Sequence, residues 1–185
     1  MVESDEIIYK RFLTEHKEDD FRILLERHKE SLILFLMSFV HNAEDAEELM
    51  LDTYAEIAAG ARFSGKSSFK TWLFSIGKHL ALMRFRKKRF FLPLEEEHTE
   101  SVAVQSPELE LLKEERNQQL FRALSNLNEE YRQILILLYF ENMSIEDAEK
   151  VLSKNRKQIY NLTERAKKSL RLELERMGFG YAEYE

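Results

Sequence analysis

Apolar residues recur at helical spacing along nearly the whole chain. From Phe21 onward, Leu24, Leu25, His28, Leu32, Phe35, Leu36, Phe39 and Val40 form one stripe with the periodicity of an amphipathic helix. Asn42 follows, a residue whose short side chain accepts hydrogen bonds from a helix's first turn. Asp45 stands three positions on, as in a capping box. The helix that Asn42 opens places Ala46, Leu49, Met50, Tyr54 and Ile57 on one side and Glu44, Asp45, Glu47, Glu48, Asp52 and Glu56 on the other. A small polar loop, residues 62–67, precedes a third helix. That helix is expected to start at Ser67 or Ser68 and run from about Phe69 to Phe90, ending in Arg84, Phe85, Arg86, Lys87, Lys88 and Arg89.

The pattern then changes. Residues 93–107 are acidic, hold both prolines and lack periodicity, which predicts a flexible linker. Helical spacing resumes near Glu108 with Leu120, Leu124 and Leu127. A helix capped by Asn128 follows, with Tyr131, Ile134, Leu135 and Leu138 inward. Ser144 caps a short helix bearing Ile145, Ala148, Val151 and Leu152. After a turn at Ser153 and Lys154, Asn155 and Gln158 cap a last helix with Ile159, Leu162, Ala166, Leu170 and Leu174 inward. Gly178 is placed to end it as a left-handed cap. The expected fold is all-α: two small helical domains joined by a flexible acidic linker, the second with a helix-turn-helix. The expected boundaries are 1–91, a linker over 92–112, a domain over 113–178 and a tail over 179–185.

Composition supports helices over a turn-rich β fold, with five Gly and two Pro in 185 residues. Cys is absent, which excludes disulfides, thiolate metal sites and a cysteine nucleophile and fits a reducing cytoplasm. The N-terminal residues are acidic and carry no apolar signal stretch, and no apolar run approaches the roughly 20 residues of a membrane span. A soluble, cytoplasmic protein is expected. The five histidines are scattered, and neither a Gly-rich phosphate loop nor a nucleophile elbow occurs. No enzyme activity, metal, cofactor or small-molecule substrate is expected.

The net charge of −6 conceals two basic segments. No Asp or Glu lies between Ile57 and Leu94, where nine Lys and Arg occur, so the remainder of the chain carries −15. From Lys150 to Arg171 there are eight basic residues and one acid, Glu164. Two such segments in an acidic chain suggest two contacts with a polyanion. The first interleaves its cations with Phe63, Phe69, Trp72, Phe74, Phe85, Phe90 and Phe91, a mixture suited to a single strand's phosphates and unstacked bases. Phe69 and Trp72 are expected in the core. Residues 63–68 have no core role to explain them and enter a helix N-terminus, where a phosphate or a flipped base can be held. In the second segment a recognition helix would present Arg156, Lys157, Gln158, Tyr160 and Asn161 to base edges and Arg165 and Lys168 to phosphates.

In this order the segments resemble the extracytoplasmic-function (group 4) sigma factors of the sigma-70 family, from about Asp5 to Gly178. Residues 5–8, Phe12, Asp20, Phe21, Leu24 and Leu25 resemble the opening of that family's first domain. Residues 42–49 resemble its polymerase-binding helix. Phe63, residues 68–76, Leu80, Ala81, Leu82, Arg86 and Lys87 resemble its promoter-melting helix. Ala123, Leu124, Leu127, Arg132, Leu135 and residues 165–171 resemble the region that reads the minus-thirty-five element.

The resemblance implies a transcription initiation factor that binds core RNA polymerase, with Asp45, Glu48, Leu51 and Asp52 at the contact. It implies minus-ten recognition and capture of the opened non-template strand by Phe63, Gly65, Lys66, Ser67, His79, Met83, Arg84, Arg86 and Lys87. Partners would be core polymerase, promoter DNA in duplex and opened form, and an anti-sigma protein. Several departures stand out. Leu51 occupies a usual Gln position, and His79 and Met83 occupy usual Asn and Asp positions. Ala148-Glu149 replaces Ile-Ala, and Ser153-Lys154 replaces Gly and an apolar residue. A Glu at the helix–helix contact and a Lys in the turn would loosen packing by about 1 kcal/mol or more unless both side chains reach solvent. Two other readings fit the residues alone: a helix-turn-helix regulator acting without polymerase, and a sigma-like protein-interaction module. The acidic face at 44–52 favours polymerase, since a plain DNA binder gains nothing from it.

Overall fold

The computed structural model describes residues 3–40, 42–91 and 115–179. His41, the linker expected over 92–112 and residues 180–185 of the expected tail lie outside the described residues. The described chain is helical: α1 (Asp5–Glu15), α2 (Glu18–Val40), α3 (Ala43–Ala58), α4 (Phe69–Phe91), α5 (Glu115–Ser125), α6 (Glu129–Leu135), α7 (Ile145–Leu152) and α8 (Arg156–Arg176).

The first four helices enclose one core because each has a single apolar stripe. The stripe expected on α2 is buried: Leu24, Leu32, Phe35 and Leu36 are fully inside, and His28 and Phe39 nearly so. Facing them are Leu49 and Ile57 of α3 and Phe69, Leu73 and Phe74 of α4. Each such side chain contributes about 1.5–3 kcal/mol on burial, far more than a surface ion pair. α4 approaches α2 and α3 closely at Gly77. A Cβ there would lie 3.1 Å from Leu32 Cδ1 and 3.4 Å from Thr53 Oγ1.

The periodicity did not single out α1. It docks through Ile8 and Tyr9, whose hydroxyl reaches Ala61 O at 3.1 Å. Asp5 fixes its start by accepting from Arg27 at 2.7 Å and pairing with His28 Nε2 at 2.7 Å.

The second domain is built on α6. Asn128 caps it as expected, accepting from Tyr131 N at 2.9 Å. The Arg132 guanidinium reaches back to Leu124 O, Ser125 O and Leu127 O at 2.8–3.1 Å, satisfying the carbonyls left open where α5 ends. Ile134, Leu135, Ile136 and Leu137 are buried in succession, more than one face of an α-helix can hide. The explanation is a neighbour on each side: α8 packs on α6, and α2 of the first domain packs on it as well. Along this run the helix widens into a π turn, Ile136–Phe140, where Glu141 N donates to Ile136 O. The periodicity did not predict that turn.

Candidate nucleic-acid and protein interface

The outer edge of α3 follows from what its inner side buries. Ala46, Leu49, Met50, Thr53, Tyr54 and Ile57 face inward, so Glu48, Leu51 and Asp52 are exposed and Asp45 half-buried. Asn42 accepts from Asp45 N at 2.7 Å, the expected cap. Leu51 is 59% exposed, an apolar side chain held in water among carboxylates.

Gly60, at φ 92°, ends α3 and starts the loop to α4. Contrary to expectation, this loop has a core residue. Phe63 is half-buried, its ring 5.1 Å from Trp72 and 6.1 Å from Tyr9, so the aromatic cluster holds it in place. Gly65 and Lys66 are exposed and Ser67 half-buried. The N-terminus of α4 is also more occupied than expected for a phosphate site. The Glu6 carboxylate accepts from Phe69 N at 2.8 Å, and Ser68 Oγ accepts from Thr71 N at 3.1 Å. Sequence spacing could not reveal Glu6, which arrives from 63 residues away.

Farther along α4, His79, Met83 and Arg86 fall on one exposed stripe. Arg84 turns the other way. Its guanidinium bonds the Glu48 carboxylate and lies 3.5 Å from Asp45 Oδ1 and 3.4 Å from Asp45 O. The hydrogen bond to Glu48 raises the Arg84 pKa, and the charges of Asp45, Glu48 and Asp52 raise it further. Lys87 lies in α4, with its side chain outside the described atoms.

In the helix-turn-helix, Ser144 and Asn155 each form a complete capping box, with Asp147 and Gln158 respectively. Ala148 is fully buried on α7, and Glu149 beside it is half-buried. The two departures reach solvent enough to pair: Glu149 lies 3.8 Å from Arg156 Nε, and Lys154 lies 2.7 Å from Glu130. Ser153 adopts the left-handed conformation at φ 55° that closes α7. On α8, Lys157, Tyr160, Asn161, Arg165 and Lys168 are exposed. Arg156 pairs with Glu146 at 3.0 Å. Gln158 Oε1 accepts from Asn155 N at 2.9 Å, so this side chain caps the helix as well as facing outward.

A contact between the domains was not foreseen. Lys70 of α4 pairs with the buried Glu141 at 2.5 Å and also donates to Glu141 O at 3.0 Å. Thr71 donates to Asp147 Oδ1 at 2.9 Å while Ser144 donates to Oδ2 at 2.6 Å. Burial would raise the Asp147 pKa, but these hydrogen bonds outweigh it and hold the carboxyl below its ordinary range. Lys150 donates to Lys66 O at 3.2 Å. Lys78 is half-buried, and burial together with nearby Lys154 lowers its pKa. Two of the cations expected to track a strand, Lys70 and Arg84, are thus paired with acids in this form.

Two family models match the chain, sigma-70 region 2 over residues 24–91 and sigma-70 region 4 over residues 117–170. An RNA polymerase sigma factor of Alcaligenes xylosoxydans xylosoxydans, NccH, is 31% identical, the match covering 81% of this chain and 84% of that one. The chain belongs to the extracytoplasmic-function sigma factors of the sigma-70 family. The ECF sigma factor SigX of Bacillus subtilis is 27% identical, with 85% of each chain covered. The fold of this sigma factor is shared by CnrH, solved in complex with the cytosolic domain of CnrY. The TM-score is 0.64 at 24% identity, with 94% of this chain and 98% of that one covered. It is shared as well by RpoE of Bartonella quintana, solved with the anti-sigma factor NepR. There the TM-score is 0.60 at 23% identity, with 84% and 97% covered. A sigma factor directs RNA polymerase to promoters and is an initiation factor rather than an enzyme. Among the described residues, no helix of this sigma factor is long and apolar enough to cross a membrane, and no group of three His, Asp or Glu is gathered for a metal.

Proposed function

We propose that this sigma factor, acting in the cytoplasm, divides its task among three surfaces. Asp45, Glu48, Leu51 and Asp52 grasp core polymerase. Phe63, Gly65, Lys66, Ser67, His79, Met83, Arg84, Arg86 and Lys87 hold the opened minus-ten strand. Arg156, Lys157, Gln158, Tyr160, Asn161, Arg165 and Lys168 meet the minus-thirty-five duplex. The observation that carries this reading is the exposed acidic edge of α3 lying directly beside the basic flank of α4. Such an arrangement serves a protein that must bind a cationic partner and a polyanion side by side. The expected domains, 1–91 and 113–178, are then the two DNA-contacting units.

The described form would have to open to engage a promoter. Minus-ten and minus-thirty-five elements lie about 25 base pairs apart, roughly 85 Å of duplex. Lys150 and Lys66, one from each DNA-facing domain, are joined by a single hydrogen bond of 3.2 Å. The 21-residue α8 is only about 32 Å long. Both elements therefore cannot be touched at once with Lys70–Glu141 and Thr71–Asp147 closed. A linker over 92–112 reaches about 70 Å when extended, enough with the domains' own width. An anti-sigma protein belongs to this reading, because RpoE of Bartonella quintana, which shares the fold, was solved with an anti-sigma factor.

In vitro transcription with core polymerase over a promoter library tests the proposal. Start-site selection that depends on this protein supports it. Asp52→Arg is expected to abolish core binding with the helix content unchanged. Pull-down of polymerase by that variant at wild-type level removes α3 from the mechanism.

A further inference from the structure

Arg84 is at once a cation of the strand-holding helix and the ion-pair partner of the polymerase-facing acids. Its guanidinium bonds Glu48 and lies within 3.5 Å of Asp45, and Asp52 adds to the negative field around it. Three of the four residues assigned to polymerase binding thus share one intramolecular counter-ion. The pair is reachable by solvent, with 37% of the Arg84 side chain and 63% of the Glu48 side chain exposed. An incoming partner can therefore compete for either member.

We propose that Arg84 couples polymerase binding to strand capture, resting on the assignment of surfaces above. In the free protein Glu48 and Asp45 hold the guanidinium. A cation from the polymerase that takes over these carboxylates releases Arg84, which then turns to a phosphate of the opened strand beside Met83 and Arg86. Two cations cannot both be fully satisfied by the same carboxylates, so the polymerase contact raises affinity for the strand. Linkage requires that the strand raise affinity for polymerase by the same factor. The device is suited to a factor that has no use for DNA until it has found its enzyme. It also explains why the cation nearest the acidic edge is an arginine. A planar fork serves two carboxylates now and a phosphate later.

The test uses the full-length protein with purified core polymerase and compares Arg84→Gln, Arg84→Lys and wild type. Arg84→Gln removes the internal competitor, so core affinity rises about two- to fivefold, the range expected for an exposed ion pair. The same variant's holoenzyme binds a pre-opened promoter several-fold more weakly, and the slope of log K against log salt falls by about 0.7–0.9, one phosphate contact. Arg84→Lys keeps the charge but not the fork, so it keeps the salt slope and falls between wild type and Arg84→Gln in both affinities. A residue with only a structural role would move the two affinities in one direction, so opposite signs are the signature of coupling. Weaker core binding by Arg84→Gln, or an unchanged salt slope, overturns the coupling while leaving the surfaces assigned as above. Failure of the wild-type protein to bind core polymerase overturns both.

Discussion

Replacing Lys70 by Met isolates one ion pair within the contact between the two domains. The Glu141 side chain is only 5% exposed and Lys70 28%. Removing the lysine leaves a carboxylate in the interface without its 2.5 Å counter-ion. Breaking a buried pair from one side costs about 3–5 kcal/mol, and water's partial access to Lys70 lowers this to about 2–3 kcal/mol. The domains can avoid that cost by separating, which hydrates Glu141. The reverse change, Glu141→Leu, leaves a lysine whose long stem can carry its ammonium out to solvent, so it costs about 1 kcal/mol. Combining the two restores stability to within about 1 kcal/mol of wild type, because an apolar pair replaces an ionic one. Urea denaturation followed by circular dichroism measures all three. Small-angle X-ray scattering of Lys70→Met is expected to give a larger radius of gyration than wild type; a compact chain of this length has about 16 Å. If Lys70→Met unfolds at the wild-type midpoint, or if Glu141→Leu is equally damaging, this ion pair does not stabilise the interface as argued.

Ser153→Gly is expected to stabilise the second domain by about 1 kcal/mol, since Ser153 occupies a left-handed conformation at φ 55° that glycine adopts without steric cost; thermal unfolding reads it directly. Arg132→Ala uncovers three carbonyls and should cost about 2–3 kcal/mol, with Arg132→Lys recovering less than half because an ammonium cannot span all three; urea titration distinguishes them. Asp147 contributes stability that is present above the ordinary carboxyl value near 3.8 and is lost as pH falls through its lower folded-state value. In titrations from about pH 6 to about pH 3, Thr71→Val, which removes one of the hydrogen bonds holding that carboxyl down, should therefore show a smaller acid loss than wild type.

Elements whose signal is local were legible in the sequence. Asn42, Asn128, Ser144 and Asn155 all cap helices as expected, because a cap is decided within four residues. Gly178 closes α8 at φ 87°, again a local requirement. The buried stripe of α2 and the acidic outer edge of α3 followed from periodicity alone. Four features did not. The period through Tyr131, Ile134, Leu135 and Leu138 left out Ile136 and Leu137, which are buried because helices distant in sequence pack on a second side. Phe63 read as a free loop aromatic because the ring cluster that receives it, Tyr9, Phe69 and Trp72, is assembled from three separate segments. Glu6 at the start of α4 and Glu141 beneath Lys70 have partners that nothing near them in sequence names.

The sequence by itself settled the helices other than α1 and the π turn, the caps at Asn42, Asn128, Ser144 and Asn155, the segregation of charge and, through the order of those segments, the family. All of these depend on neighbours a few residues apart. Tertiary structure alone decided which polar groups meet: Arg84 with Glu48, Lys70 with Glu141, Thr71 with Asp147. Coulomb attraction and hydrogen bonding depend on distance in space, and pairs 36 to 76 residues apart acquire a distance only when the core places their helices side by side.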